Sequence, residues 1–395
     1  MSQAQTGEIK ELAMIQGFQA ILGHIRRHGL TDHIAVIETW IGHVQNLELR
    51  GEMARLLGFF WLRRRDTGKA LLYCDMAASL LPANAETVSN AMQALLQAGR
   101  WADVIPRGQN AIARFGERYQ WHSHLCTAHG RLGQMAAARY HGTRCLELED
   151  AAAAGGPVHN LSDVAVPPFD PARPERNVVS FSLFGSNEYY TRTAIINTRA
   201  ARFLYPGWTC RFYVDDSVPV PVLDDLTTEG ARVLHVNEMP GDPFGTFWRF
   251  LVADDEQVDR YIVRDVDTVL NIRECVAVRE WQASDRHFHV MRDHYDHADL
   301  ILPGMWGGVR GALPAIGPLA QRYLESRSDV PGHTADQEFL RDALWPTIRT
   351  SAMTHDSQFM FGDKRDFPAV GCLPDSCYVG CDGGGVPSLE SAAAG

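Results

Sequence analysis

A run of three 34-residue repeats constrains the fold more than any other feature of this sequence. The repeats span residues 51–84, 85–118 and 119–152 and align without gaps. Small residues such as Gly58 and Ala70 let the two helices of one repeat approach closely, while bulky Leu and Trp side chains fill the space to the next helix. Because one such pair cannot bury its apolar face alone, the pattern predicts stacked helix pairs.

The repeats resemble the tetratricopeptide (TPR) family. Gly99 and Gly133 fall where a turn joins paired helices. The resemblance implies either a concave surface for a peptide or protein, or a module for packing or dimerisation. The first block carries the match most clearly, at Leu57, Gly58, Trp61, Ala70, Leu71, Ala77, Leu80 and Pro82.

Composition narrows the class of protein. The chain has 395 residues, 45% of them hydrophobic, which is enough to bury a sizeable core. Its net charge of −11 argues against a general nucleic-acid binder. No run of apolar residues is long enough for a transmembrane helix, and the N-terminus lacks an apolar signal core. We therefore expect a soluble, cytoplasmic protein.

The cysteines favour the same compartment. Eight are spread thinly, and the chain has no CxxC pair. Cys372, Cys377 and Cys381 lie close together, but their spacing matches no common zinc pattern. Reduced thiols are the expectation.

Composition also divides the chain into four parts. Residues 1–152 are rich in Ala, Leu, Arg and Gln and are expected to be helical repeats. Residues 153–176 carry five prolines and paired glycines, which is typical of a linker. Residues 177–380 alternate strand-like and helix-like runs, and 381–395 resemble a disordered tail. The predicted class is α plus α/β.

Strand-like runs in the third part end in acidic residues. Asn177–Leu183 and Thr209–Val214 read as strands, and a further strand runs from Tyr261 into Asp265-Val-Asp267. Alternation of strands and helices predicts a mainly parallel, doubly wound sheet. Such sheets bind ligands beyond the carboxyl ends of their strands.

Asp265 and Asp267 form a D-x-D triplet at one of these ends. Two carboxylates leaving a strand can hold one hard divalent cation and leave positions open for phosphate. The cation would neutralise charge that builds on a leaving diphosphate. The alternative is a strand-end turn in which Asp265 caps its own backbone.

The stretch YIVRDVDTVLNIRE resembles the metal-binding segment of GT-A-type glycosyltransferases. The segments YPGWTCRFYVDD, FWRFLVADD, HVMRDHYDH and GMWGGVRG are similar to a group of bacterial glycosyltransferase-like proteins. The resemblance covers roughly 177–362. It implies a Rossmann-like domain that uses Mn²⁺ or Mg²⁺. The reaction would transfer a sugar from a nucleoside-diphosphate sugar, of UDP or GDP type, to a glycan, protein or small-molecule acceptor.

The resemblance also implies a donor site. Asp265 and Asp267 would bind the metal, with His355 as a third ligand unless it is a structural histidine. Arg249 would face the donor unless it is solvated on a helix face. Asp215 is a weaker candidate for contact with ribose. Base and ribose would lie at the end of the first strand, at Phe184, Gly185 and Ser186.

Acceptor-side candidates follow later in the chain. Asp336-Gln-Glu338 resembles a motif on an acceptor-side helix, so Asp336 first, then Glu338, are candidate bases for an inverting reaction. A retaining reaction needs no dedicated base. Asp336 could instead cap its helix with Thr334. Asp293 could accept hydrogen bonds from sugar hydroxyls, and Trp306 could stack on a sugar face or simply belong to the core.

Two other functions fit the same residues. The chain could be a TPR scaffold whose second domain binds a nucleotide sugar without turnover. It could also be a metal-dependent hydrolase of nucleotide-sugar pyrophosphates, with water as acceptor. In the transferase interpretation the repeats would recruit an acceptor or join two chains into a homo-oligomer.

Overall fold

The chain folds into two compact units whose division falls between Leu148 and Glu149. A helical N-terminal region is followed by an α/β region with a mixed sheet, as expected for an α plus α/β protein. None of the helices described is both long and apolar enough to cross a membrane. The computed structural model describes residues 16–18, 20–21, 31–236, 245–326, 334–370 and 378–381.

Helix pairs of the first unit follow the 34-residue period of the sequence. The second helices of the three pairs begin at Thr67, Trp101 and Met135. Asn46 and Asp66 start two of the helices by accepting a backbone N–H with their side chains, at 2.9 and 3.0 Å. The helices are Ile34–Ile41 (α1), Leu47–Arg63 (α2), Thr67–Leu80 (α3), Ala85–Gln97 (α4), Trp101–Phe115 (α5), Tyr119–Arg131 (α6) and Met135–Ala153 (α7).

Three glycines of the repeats have the structural roles that the sequence pattern predicts. Gly99 and Gly133 adopt φ of +69° and +72°, the left-handed conformation that a glycine tolerates in the turn between paired helices. At Gly58 an added Cβ would lie 2.7 Å from the Cys74 Sγ and 3.1 Å from its backbone nitrogen. The φ angles of Gly99 and Gly133 confirm the predicted turns. The close approach of paired helices is also confirmed, since α2 and α3 pack too closely for a side chain at Gly58.

Two partly buried histidines should make this unit sensitive to acid. Burial lowers the pKa of His124 and of His141 to about 4. In the unfolded chain both histidines take up a proton near pH 6.5, whereas in the folded chain they do so only near pH 4. Protonation therefore favours the unfolded chain, and the free energy of unfolding decreases as the pH falls below about 6.5. Between pH 7 and 5.5 we expect His124 to lower the free energy of unfolding by about 1 kcal/mol, and His141, which is more exposed to solvent, to lower it by less. Urea unfolding of the His124→Gln/His141→Gln variant should show a correspondingly shallower pH dependence; an unchanged slope would contradict this assignment.

The second unit is built on one eight-stranded sheet with the order β3-β2-β1-β4-β6-β5-β7-β8. Seven strands run in one direction, and β6 runs antiparallel between β4 and β5. The predicted strands at 177–183 and 209–214 are confirmed. The strands are Asn177–Leu183 (β1), Thr209–Val214 (β2), Arg232–His235 (β3), Arg260–Arg264 (β4), Phe288–Arg292 (β5), Met305–Val309 (β6), Ala352–Asp356 (β7) and Lys364–Arg365 (β8).

Central strands form the core of this unit, since every residue of β1, β4, β5 and β6 is buried. Two helical segments are not α-helical: a 3-10 helix at Gly245–Asp254, which precedes β4, and a π-helical turn at Leu340–Leu344, which joins two short α-helices. The α-helices are Glu188–Leu204 (α8), Val220–Thr228 (α9), Ile272–Gln282 (α10), Ile316–Glu325 (α11), Ala335–Phe339 (α12) and Trp345–Ile348 (α13).

Strand order reverses between β1 and β4. The chain runs outward from β1 through β2 to β3, and then returns to place β4 on the other side of β1. At such a switch point the loops leave the two strands in opposite directions and open a crevice at their carboxyl ends. The register brings Ser180 opposite Val263, so β1 and β4 end side by side.

Candidate functional site

Most sequence-predicted donor residues lie at this crevice. Phe184, Gly185 and Ser186 directly follow β1, and Asp265 and Asp267 directly follow β4. Asp215 follows β2, which is the other neighbour of β1. The fold therefore gathers residues that are up to 83 positions apart in sequence at one edge of one sheet.

Backbone carbonyls of the D-x-D loop are held by side chains of α8. Asn197 is fully buried; its Nδ2 donates to the Thr268 carbonyl at 2.7 Å and its Oδ1 accepts the Leu270 N–H at 3.0 Å. The Tyr189 hydroxyl donates to the Asp267 carbonyl at 3.2 Å. Sequence reasoning missed both residues, although an amide inside the apolar stretch AIINTRAA was a usable signal.

Arg249 connects the D-x-D to the short helix α12, which begins at Ala335. Its Nη2 donates to Asp336 at 2.8 Å and its Nη1 donates to Asp265. Only 7% of the Arg249 side chain and 5% of the Asp336 side chain are exposed. Burial alone would lower the pKa of Arg249, but the carboxylates of Asp265 and Asp336 outweigh burial and raise it. Arg249 is thus an ion-paired cation inside the site, not a solvated one.

Gly304 lies against the first carboxylate of the D-x-D. It immediately precedes β6, whose first residue, Met305, pairs with Arg264 at the end of β4. An added Cβ at Gly304 would lie 2.0 Å from Asp265 Oδ2 and 2.7 Å from the Asp265 nitrogen. The absence of a side chain there lets Asp265 occupy its position.

Hydrogen bonds tie the loop after β1 to the end of β2. Gly185 has φ of +77° and its N–H donates to the Ser217 hydroxyl at 2.6 Å. That hydroxyl in turn donates to the Asp215 carboxylate. Phe184 is half-exposed and its ring meets Trp248 edge-on, with the centroids 5.7 Å apart. The loop is therefore fixed in shape and leaves one aromatic ring accessible.

The carboxylates of Asp265 and Asp267 fit a small hard cation in number and type. Mg²⁺ is commonly held by one or two carboxylates, with phosphates and water filling the other positions. In the ranges described, no three His, Cys, Asp or Glu side chains form a group that could hold a metal ion. The remaining ligands would have to come from a bound phosphate and solvent.

His355 is not part of this set, which corrects the expected third ligand. It is fully buried in β7, three strand positions from β4, roughly 14 Å at the usual strand spacing. Both ring nitrogens have partners: Nδ1 meets His289 Nε2 at 2.8 Å and Nε2 meets Glu280 at 3.0 Å. Burial lowers the pKa of His355, partly offset by Glu280. It is the structural histidine of the alternative interpretation.

Trp306 and Asp293 also need correction. Trp306 is fully buried in β6, packed against Phe250 and Tyr261, so no sugar can stack on it. Asp293 does follow β5 at the expected edge, but its oxygens are occupied. Within the described chain they accept from Arg273 at 2.7 and 2.9 Å, from the Ser357 hydroxyl and from the Val379 N–H. Asp293 joins three segments instead of offering oxygens to a ligand.

Asp336 and Glu338 lie in α12 as expected, but not with the expected cap. Thr334 precedes the helix, and its hydroxyl donates to Glu338 at 3.2 Å instead of capping with Asp336. Asp336 accepts the Gln337 N–H at 2.9 Å with one oxygen and Arg249 with the other. A carboxylate paired with a buried guanidinium is a poor base, which weakens the expectation that Asp336 takes the acceptor proton.

No protein-family model and no curated protein matches this sequence. Among solved structures, a mutant of the O-GlcNAc transferase from Thermobaculum terrenum is similar with a TM-score of 0.41 and 16% identity, over 64% of this chain and 46% of that one. A mycobacterial protein is similar with a TM-score of 0.26 and 15% identity, over 47% of this chain and 67% of that one. The chain spans less than half the length of the transferase. Because the sequence identities and the TM-scores are low, the activity of this chain must be argued from its own residues.

Proposed function

We propose that this chain is a metal-dependent glycosyltransferase with a GT-A-type C-terminal domain and TPR-like N-terminal repeats. The donor is a nucleoside-diphosphate sugar, and the acceptor is a glycan, a protein or a small molecule. The repeats recruit the acceptor or join two chains.

One observation carries the proposal: two carboxylates and an ion-paired arginine meet at the strand-order switch point. Asp265 and Asp267 leave β4 beside the loop that leaves β1, and Arg249 is ion-paired with Asp265. The loop after β1 presents the ring of Phe184 on one side of the crevice, and the two aspartates present negative charge on the other. This arrangement suits a nucleotide whose phosphates are bound through a divalent cation.

Several residues of the chain have separate roles in the proposed reaction. Asn197 and Tyr189 fix the D-x-D loop, and Asp336 orients the guanidinium of Arg249. A bound Mg²⁺ or Mn²⁺ supplies positive charge beside the leaving diphosphate. Arg249 adds a second positive charge on that side, which favours the charge-separated transition state. Glu338 remains the predicted base if the reaction inverts the anomeric centre.

Thermal stability with each nucleoside diphosphate, with and without Mn²⁺, tests the binding step. A ligand that binds the native state raises Tm. We expect one nucleotide, UDP or GDP, to raise Tm only when metal is present. Product analysis then separates transfer of sugar to an acceptor from hydrolysis to free sugar and nucleotide. If no nucleotide changes Tm in a folded, metal-containing sample, the proposal is wrong.

Replacing Asn197 should weaken metal binding without touching a carboxylate. Asn197→Ala frees the Thr268 carbonyl and the Leu270 N–H inside the protein, so the D-x-D loop loses its anchor. We expect the Mn²⁺ concentration that gives half of the nucleotide-dependent Tm shift to rise on the order of 10-fold. Thr198→Ala is the matched control, since that buried hydroxyl donates only within its helix, to Ala194. Equal Mn²⁺ titrations for both variants would contradict a positioning role.

A methyl group at Gly304 should displace Asp265. The 2.0 Å approach of an added Cβ to Asp265 Oδ2 is far below van der Waals contact, so the carboxylate must move. We expect Gly304→Ala to lower metal-dependent nucleotide affinity on the order of 10-fold. Gly42→Ala, where no atom lies within 4 Å of the new Cβ, controls for the substitution itself. Isothermal titration at fixed Mn²⁺ measures the difference, and wild-type affinity in Gly304→Ala would refute it.

A further inference from the structure

A cavity lies at the opposite edge of the same sheet from the D-x-D. Its volume is about 320 Å³, within the range of small-ligand sites. Three segments line it: the end of α8 with the turn after it, α10 from Cys275 to Gln282, and the residues before β1. These segments precede β2, β5 and β1 respectively, so they lie at the amino ends of the parallel strands. The cavity is therefore separate from the crevice at the carboxyl ends.

The base of this cavity is apolar and partly aromatic. Tyr205, Trp208, Cys275 and Val278 are all buried there. The Phe169 and Trp208 rings lie with centroids 6.0 Å apart and planes 29° from parallel. Flat walls of this kind favour a flat apolar group, because aromatic rings stack or meet edge-to-face at such distances.

Cys275 does not make the base reactive. Its thiol donates to the Leu204 carbonyl, and burial raises its pKa. A thiol held in the neutral form is a poor nucleophile, so the cavity offers reversible binding only.

The rim carries one cation. Arg279 is exposed, and within the described residues its guanidinium has no hydrogen bond and no ion pair. Gln282 adds an amide at the same rim. A guanidinium without a carboxylate partner beside an apolar cavity recognises an anionic group on a ligand whose body is buried.

We propose that this cavity binds a small molecule that joins a flat aromatic body to one carboxylate. The aromatic body packs against the cavity wall that Phe169, Tyr205 and Trp208 form, and the carboxylate faces Arg279. The site is independent of the proposed transferase activity, since none of its residues belongs to the D-x-D crevice.

Isothermal titration of the full chain with indole-3-propionate and its neutral amide tests the proposal. We expect the acid to bind about five-fold more tightly than the amide, which is typical of one exposed charge pair. Arg279→Gln should abolish that difference by weakening only the acid, whereas Arg286→Gln, another exposed arginine, should leave it intact. Phe169→Ala, at the half-buried wall, should weaken both compounds.

Several results would overturn this site. Equal binding of acid and amide to the unmodified protein would remove the role of Arg279. Binding that survives both Arg279→Gln and Phe169→Ala would place the compound elsewhere. If neither compound binds at millimolar concentration, the cavity does not bind small aromatic carboxylates. If only a larger peptide with aromatic and acidic residues binds, the cavity is a protein-docking site. Retained binding in Asp265→Asn is expected and separates this test from that of the transferase.

Discussion

Asp267→Asn should remove metal-dependent nucleotide binding while leaving the fold intact. The substitution keeps the size of the side chain and the backbone carbonyl that Tyr189 holds, but it removes one of two negative charges at the end of β4. Affinity for a divalent cation depends steeply on the number of charged ligands, so we expect a loss on the order of 100-fold. Any sugar transfer that needs the cation falls with it.

Asp285→Asn is the matched control for this experiment. Asp285 lies between α10 and β5, at the amino-end edge of the sheet, and its side chain is 99% exposed. The substitution changes the net charge equally at a place away from the crevice. Nucleotide titrations with and without Mn²⁺ compare the two variants. If Asp267→Asn and Asp285→Asn bind nucleotide alike in the presence of metal, the D-x-D is a strand-end turn and the proposed function fails.

The largest effect on stability should come from Arg249. Arg249→Met leaves the Asp336 carboxylate buried without its cation, and breaking a buried pair in this way costs about 3–5 kcal/mol. Removing both charges is often close to neutral, so Arg249→Met/Asp336→Leu should recover most of the loss. Urea unfolding measures both variants, with Arg286→Met as an exposed control.

Turnover should not recover together with stability in the Arg249→Met/Asp336→Leu double variant. The double variant regains a folded site but has no guanidinium beside Asp265, so turnover should stay low while the free energy of unfolding returns. This separation distinguishes a cation needed for chemistry from one needed only to neutralise Asp336. Recovery of both properties in the double variant would contradict the role we assign to Arg249.

Local patterns predicted the elements of the fold well. The hydrophobic runs at 177–183 and 209–214 became strands with those limits, and the helix pairs kept their 34-residue period. The acidic residues after β4 lie at the carboxyl-end edge of the sheet, because a strand's end is fixed by its own sequence and parallel strands share one edge. Such features depend on residues close together in the chain.

Features that depend on distant partners were not predictable in the same way. Trp306 is buried because β6 inserts antiparallel between β4 and β5, and nothing local indicates that insertion. His355 and Asp293 looked like ligands because their residue types suit chemistry. Their actual partners, His289, Glu280 and Arg273, come from other strands and helices. A single sequence shows which side chains can bind, but not which ones other parts of the chain already occupy.

The hydrogen bonds of the D-x-D loop have a consequence for binding affinity. The carbonyls of Asp265, Asp267 and Thr268 already accept from Thr268, Tyr189 and Asn197. The conformational entropy of this segment is therefore lost during folding and no longer opposes the arrival of a ligand. Sequence changes on α8 that never meet a ligand can accordingly tune how tightly the crevice binds, through the order of the unliganded loop alone.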